Sequence, residues 1–330
     1  MSDKSPITGM SYYQHTLADT FTCVGRGLHT GLRVVMSVTP AEANTGYVFV
    51  RRDVESCKAE VPARWYMVTD THLSTTISNN MGVRVSTIEH LTAALHACGV
   101  DNARIVLDAP EVPIMDGSAY PFVEIIQKIG LQQQNQERRA ILLKQPVYVS
   151  DDLSSASLEP APTPWVDIEI DFESEVIGKQ RLSLPISESV FAEEISPART
   201  FGFEEQVETL RELGFAKGSS IKNAILISNS QVVNQEGLRF VDEFVRHKFL
   251  DAVGDLSLAG AVIIGQFNGN RSGHAVNNQL LRELMTNENT RAYTTLRQAD
   301  MYWSNELARA AMKYDSAASE VRPAALFNKA

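Results

Sequence analysis

The sequence predicts an α+β protein of two domains, each a sheet layered against helices. Three observations predict it. Strand-like and helix-like segments come in groups in both halves and do not strictly alternate, which argues against a doubly wound sheet. The chain has 330 residues, 44% of them hydrophobic and 21% charged, enough for two ordinary cores. A polar, Gln-rich run, "LQQQNQERR", separates the groups and reads as a linker. The expected domains are residues 1–134 and 135–330.

In the first half, alternation at "FTCV", "LRVVMSV" and "GYVFV" predicts strands. A helix follows at "STIEHLTAALHACG", where Ser86 and Glu89 have capping-box spacing and Gly99 is the expected stop. "NARIVLD" returns as a strand, and "AYPFVEIIQKIG" is a second helix ended by Gly130. In the second half, "AILLKQPVYVS" and "VDIEIDF" alternate as strands, "ISESVFAEEI" and "FEEQVETLRELG" read as helices, and "NAILIS" as a buried strand. A long helix covers "FVRHKFLDAVGDL", then come one strand at "AVIIGQFN" and a helix at "AVNNQLLRELM". The tail beyond about residue 300 carries no clear signal.

A formal charge of −10 excludes a general nucleic-acid binder, because phosphate neutralisation needs a basic field. It leaves room for one anionic small molecule held by local cations. Three scattered cysteines, Cys23, Cys57 and Cys98, fit free thiols in a reducing compartment. The N-terminus lacks the apolar core of a signal peptide, and no stretch reaches the roughly 18 apolar residues of a membrane span. A cytoplasmic protein is expected.

The long helix raises the chemical question. At about 100° per residue, His247, Lys248, Asp251 and Asp255 fall in one arc, while Phe249, Leu250, Val253 and Leu256 lie opposite. His247 and Asp251, one turn apart, have the spacing of two ligands of one metal. Spacing alone favours an ordinary surface ion cluster. His90 follows Glu89, and such a pair can bring a ligand and a general base to one pocket. Glu89 is also explained as the capping partner of Ser86, and His90 as a buried structural histidine. His96, on the other side of that helix, reads as structural. His274 follows Gly273 at the expected start of a helix, as a general acid or a turn residue. In "PARTFGF", Thr200 carries a hydroxyl able to bond a developing oxyanion, flanked by Arg199 and Phe201, but a loop with Thr and Phe is equally an ordinary one.

Taken together and in this order, "GRGLHTG", "STIEHLTAAL", "EVPIMDGSA", "ARTFGF", "GLRFVDEFVRHKFLDAVGDL" and "SGHAVNNQLL" resemble the UDP-3-O-acyl-N-acetylglucosamine deacetylases, the zinc deacetylases of bacterial lipid A synthesis. The resemblance runs from about residue 25 to about residue 300. It implies an active site at the interface of the two domains, with one Zn2+ held by His90, His247 and Asp251, Glu89 as general base, Thr200 at the oxyanion, and His274, oriented by Asp255, as the imidazolium. It further implies a UDP-linked acylated amino sugar as substrate, with Lys248 and Arg271 facing the pyrophosphate and Phe201 near the sugar. A βαβ insertion at 203–227 would form the acyl passage, lined by Leu210, Leu213, Phe215 and Ile225. Glu204 and Glu205 open that segment where some relatives are apolar, and Ser74 stands where some have cysteine. A monomer with transient contact to the inner membrane is expected. The competing reading is a catalytically idle nucleotide-sugar or acyl-chain binding protein of the same fold.

Overall fold

The structure, a computed structural model, describes residues 3–320, with side chains through residue 310. Its α-helices are α1 (Glu89–Ala97), α2 (Tyr120–Ile129), α3 (Glu188–Val190, continued by a π-helical turn at Phe191–Ile195), α4 (Glu204–Glu212), α5 (Glu243–Ser257), α6 (His274–Thr286) and α7 (Leu296–Glu320). The last of these covers much of the tail that carried no signal in the sequence.

Two five-stranded sheets organise the chain, one from each half. The first has the spatial order Phe21–Arg26, Arg33–Pro40, Ala103–Leu107, Tyr47–Arg51, Glu60–Pro62. The second runs Val147–Ser150, Ser155–Glu159, Gln266–Asn270, Trp165–Asp171, Lys179–Pro185. The connectivity is the same in both: the fifth strand in chain order inserts at the centre, antiparallel to the second and parallel to the third. No sequence repeat announces this duplication, because the alternation of buried and open positions needs only apolar character and not identity. Val34, Met36 and Val38 point inward from the first sheet, Val166, Ile168 and Ile170 from the second. They join Leu91, Leu95 and Phe122 of α1 and α2, and Phe249, Leu250 and Leu280 of α5 and α6, in one core. The fold is therefore mixed sheet-and-helix, as the grouping of segments predicts.

Three local expectations are corrected. The Gln-rich run is strand Leu131–Glu137, antiparallel to Tyr13–Leu17. Its side chains are mostly open to solvent, so the ladder, and not apolar burial, makes it a strand. "AVIIGQFN" is two strands: Val262–Ile264 lies in a three-stranded sheet with Arg139–Leu143 and Arg291–Thr295, and Gln266–Asn270 enters the large second sheet. The break falls at Gly265, where a Cβ would run into the Leu143 side chain and the Glu159 carbonyl. The capping box is absent as well. Ile88, not Ser86, is the N-cap of α1 and gives no side-chain cap; Ser86 Oγ instead accepts from Thr76 Oγ1 at 3.0 Å. The stops at Gly99 and Gly130 hold, both at positive φ.

The two helices that matter most, α1 and α5, pack directly on each other. Gly254 of α5 meets the Glu89 backbone, and the Thr92 hydroxyl lies 3.2 Å from the carbonyl oxygens of both Glu89 and Gly254. The polar stripe of α5 is consequently buried, not solvated: His247, Asp251 and Asp255 are 1–3% exposed.

Candidate metal site

Burial on that scale is costly for charged groups unless they find partners, and the partners are specific. His247 sets its Nδ1 3.1 Å from the carbonyl oxygen of Ala198, which leaves Nε2 facing Asp251 Oδ1 at 3.5 Å. From α1, His90 Nε2 lies 3.8 Å from the same oxygen. The two imidazoles stand edge to face, 4.9 Å between centroids. One ligand atom from each of His90, His247 and Asp251 falls within 4.8 Å of the others, and all three residues are buried. Among the described residues no other such group forms.

The electrostatics suit a cation. Burial, and then the neighbouring His247, push the His90 pKa down to about 3, and burial lowers that of His247, so both rings are neutral with lone pairs available. Burial alone would raise Asp251, but Lys248 and the histidines outweigh it and hold the carboxyl well below its usual range. Neutral imidazoles and an ionised carboxylate are the protonation states a metal ion requires. His90 Nδ1 is buried with no hydrogen-bond partner among the described residues.

Beside the triad lies a second cluster. Glu89 Oε1 is 3.8 Å from His274 Nε2, and His274 Nδ1 is 2.8 Å from Asp255 Oδ2. Burial raises the Glu89 pKa to about 7. Burial would lower His274, but Asp255 and Glu89 reverse the effect and raise it to about 10, so the ring is an imidazolium at neutral pH. Loss of the capping box matters here. The Glu89 carboxylate accepts from the Thr75 backbone N–H at 3.0 Å and faces His274, and it does not close the turn of its own helix.

The remaining expected residues are placed unevenly. Lys248 donates to Asp251 Oδ2 at 2.9 Å, and its ammonium lies 5.7 Å from the centre of the Phe201 ring. Phe201 in turn is 6.3 Å from the His247 ring. Thr200 lies two residues beyond the Ala198 carbonyl that orients His247, and its hydroxyl makes no hydrogen bond among the described residues. Arg271, in the left-handed region at φ 51°, turns toward Asp171, 3.3 Å from its carbonyl and 3.8 Å from its carboxylate. The segment at 203–227 is a βαβ unit: Phe201–Phe203 pairs parallel to Ile225–Ser228 across α4. Along it Ile225 is buried, Leu210 and Phe215 are half-buried and Leu213 is exposed. Phe215 packs edge-on against His29 and His72 of the first half.

Several contributors were not legible in the sequence. Thr75 and Asn277 both bond Asp255, at 2.6 and 2.9 Å. Glu111, fully buried, accepts from the backbones of His29 and Thr30 and from the Thr87 hydroxyl just before α1. Arg199, expected only to flank Thr200, is buried against Glu243 at the start of α5 and anchors the "PARTFGF" loop to that helix. These are ordinary residue types at unremarkable spacings, joined only across the fold. The sole sequence hint for Glu111 is its place in "EVPIMDGSA".

A metal-ready triad beside a near-neutral carboxylate and an imidazolium has the parts for metal-assisted hydrolysis of an acyl bond. Comparison with known proteins narrows that class. Residues 14–286 match the family model described as LpxC, UDP-3-O-acyl N-acetylglycosamine deacetylase. Curated proteins named UDP-3-O-acyl-N-acetylglucosamine deacetylase are similar along most of their length. That of Phenylobacterium zucineum is 47% identical over 82% of this chain and 93% of its own. That of Myxococcus xanthus is 46% identical over 84% and 87%, and that of Shewanella violacea 43% over 84% and 90%. The chain belongs to the UDP-3-O-acyl N-acetylglycosamine deacetylase family.

Proposed function

We propose that this chain hydrolyses the N-acetyl group of UDP-3-O-(3-hydroxyacyl)-N-acetylglucosamine to the free 2-amine and acetate, an early step of lipid A synthesis. The observation that carries the reading is the convergence of His90 Nε2, His247 Nε2 and one Asp251 oxygen beside the Glu89–His274 pair. Family membership supplies the substrate class.

The ion assigned is zinc, for which two imidazoles and a carboxylate are an ordinary donor set with a position left open. When bound, it supplies Lewis acidity to the amide carbonyl and lowers the pKa of water. Glu89, poised near neutrality, takes the proton of the attacking water. His274, held protonated by Asp255, faces the developing negative charge and can deliver a proton to the departing amine. Thr200 offers its free hydroxyl to the same oxyanion. Lys248 and Arg271 meet the pyrophosphate, and Phe201 packs on the sugar. The βαβ unit takes the 3-O-acyl chain, with Leu210 and Phe215 on its apolar side.

In this reading residues 1–134 and 135–330 are the two domains, and the protein works as a cytoplasmic monomer that touches the inner membrane to collect an amphiphilic substrate. No helix among the described residues is long and apolar enough to cross a membrane. The test is metal analysis of the purified chain with an acetate-release assay on the UDP-linked substrate. Release that stops on chelation and returns with zinc supports the proposal; substrate binding without acetate release sinks it in favour of an idle fold.

A further inference from the structure

The deacetylase reading assigns Glu89 to α1 and the Asp255–His274 pair to α5 and α6, but does not say what keeps the two carboxylates in register. Both are buried carboxylates, and each must point at His274 from its own helix. Besides His274, Thr75 touches both. Thr75, 2% exposed, immediately precedes strand Thr76–Ser78 and lies two residues after Leu73, which is held at φ 62°. Its backbone N–H donates to Glu89 Oε2 at 3.0 Å. Its hydroxyl donates to Asp255 Oδ1 at 2.6 Å. Its carbonyl accepts from Ile88 N, the N-cap of α1, at 3.4 Å. All three polar groups of one buried side chain and its peptide units are thereby spent on the two helix elements that build the site.

The geometry points to Thr75 as a positioning residue for the hydrolytic step. With Oδ1 of Asp255 fixed by the Thr75 hydroxyl, Oδ2 is left for His274 Nδ1 and Asn277 Nδ2, at 2.8 and 2.9 Å. The carboxylate plane, and with it the aim of the His274 ring toward Glu89, is therefore set from the first half of the chain. Without the hydroxyl, Asp255 keeps two donors on one oxygen and none on the other. It is then free to rotate about its side-chain bond, and His274 turns with it. Thr75 does not contact His90, His247 or Asp251 through any hydrogen bond, so its effect falls on the proton-handling pair and not on the metal triad.

This inference rests on the deacetylase reading, and the experiment separates the two. Thr75→Val keeps the β-branched shape and the N–H to Glu89 and deletes only the hydroxyl; Thr75→Ser keeps the hydroxyl. Wild type, T75V and T75S are compared for zinc content, melting temperature, kcat and KM on the UDP-linked substrate. The expected result is a T75V kcat lower by about tenfold to a hundredfold, as for a misplaced catalytic group. KM should stay within about twofold, since uniform binding is untouched. Zinc content and cooperative melting should match wild type, and T75S should recover most of the lost kcat. Wild-type kcat in T75V overturns the inference alone. Loss of zinc or of cooperative melting in T75V together with kcat also overturns it, because the threonine is then merely structural. A wild type that releases no acetate overturns the deacetylase reading itself and this inference with it.

Discussion

Gly254 of α5 lies against the carbonyl of Glu89 of α1, so close that a Cβ at Gly254 would collide with it. The contact brings His90 from one helix to His247 and Asp251 on the other. Because the obstacle is backbone and not a flexible side chain, the helices must separate to admit even a methyl group. Gly254→Ala should cost about 1–3 kcal/mol, the range for overpacking, and weaken metal retention. Chemical denaturation and a zinc titration of the variant check both.

Glu89 and His247 stand on opposite sides of a functional division. Glu89→Gln keeps the shape and the triad but removes the base, so zinc content should stay at wild-type level while kcat falls by about 10²–10⁴-fold. His247→Ala removes a ligand and should lose metal and activity together. Metal analysis beside acetate release distinguishes them, and a zinc-depleted E89Q would contradict the assignment.

The pH profile should report His274. Its pKa is raised from 6.5 to about 10, against burial, by Asp255 and Glu89. The sign follows from linkage: the stabilisation of the charged ring is fully present below the unfolded value and is lost as pH rises through about 10. Activity that needs the imidazolium should therefore fall on the alkaline side. Asp255→Asn removes the main charge that holds the proton, so the alkaline limb of kcat/KM should move to lower pH. An unmoved limb would remove Asp255 from this role.

Arg199 is buried against Glu243, with Nε–Oε1 at 2.9 Å, and Glu243 is itself fully buried. Glu243→Ala leaves the guanidinium with the exposed Glu236 as its remaining acidic partner. A cost of about 3–5 kcal/mol is expected for breaking a buried pair, measurable by denaturant unfolding. The loop that carries Ala198 and Thr200 should loosen as well, seen as faster amide exchange at residues 198–203.

Local patterning was enough for the helices with glycine stops, the alternating strands and the family, and the βαβ unit was expected only through the family resemblance. Each rests on local periodicity or on a motif that survives without its surroundings. The sequence by itself also brought out the i, i+4 pair His247 and Asp251, because helical geometry alone puts them on one face. Tertiary structure decided what those groups are. Whether the α5 stripe is a solvated ion cluster or half of a buried site depends on α1 lying over it, which rests on the close approach at Gly254. Whether Glu89 caps its helix or faces His274 depends on where Thr75 and Thr76 sit, and they come from a separate strand. The Gln-rich strand and the split at Gly265 stayed hidden for the same reason. A backbone ladder and a steric collision are made with partners far along the chain, and no pattern within a segment records them.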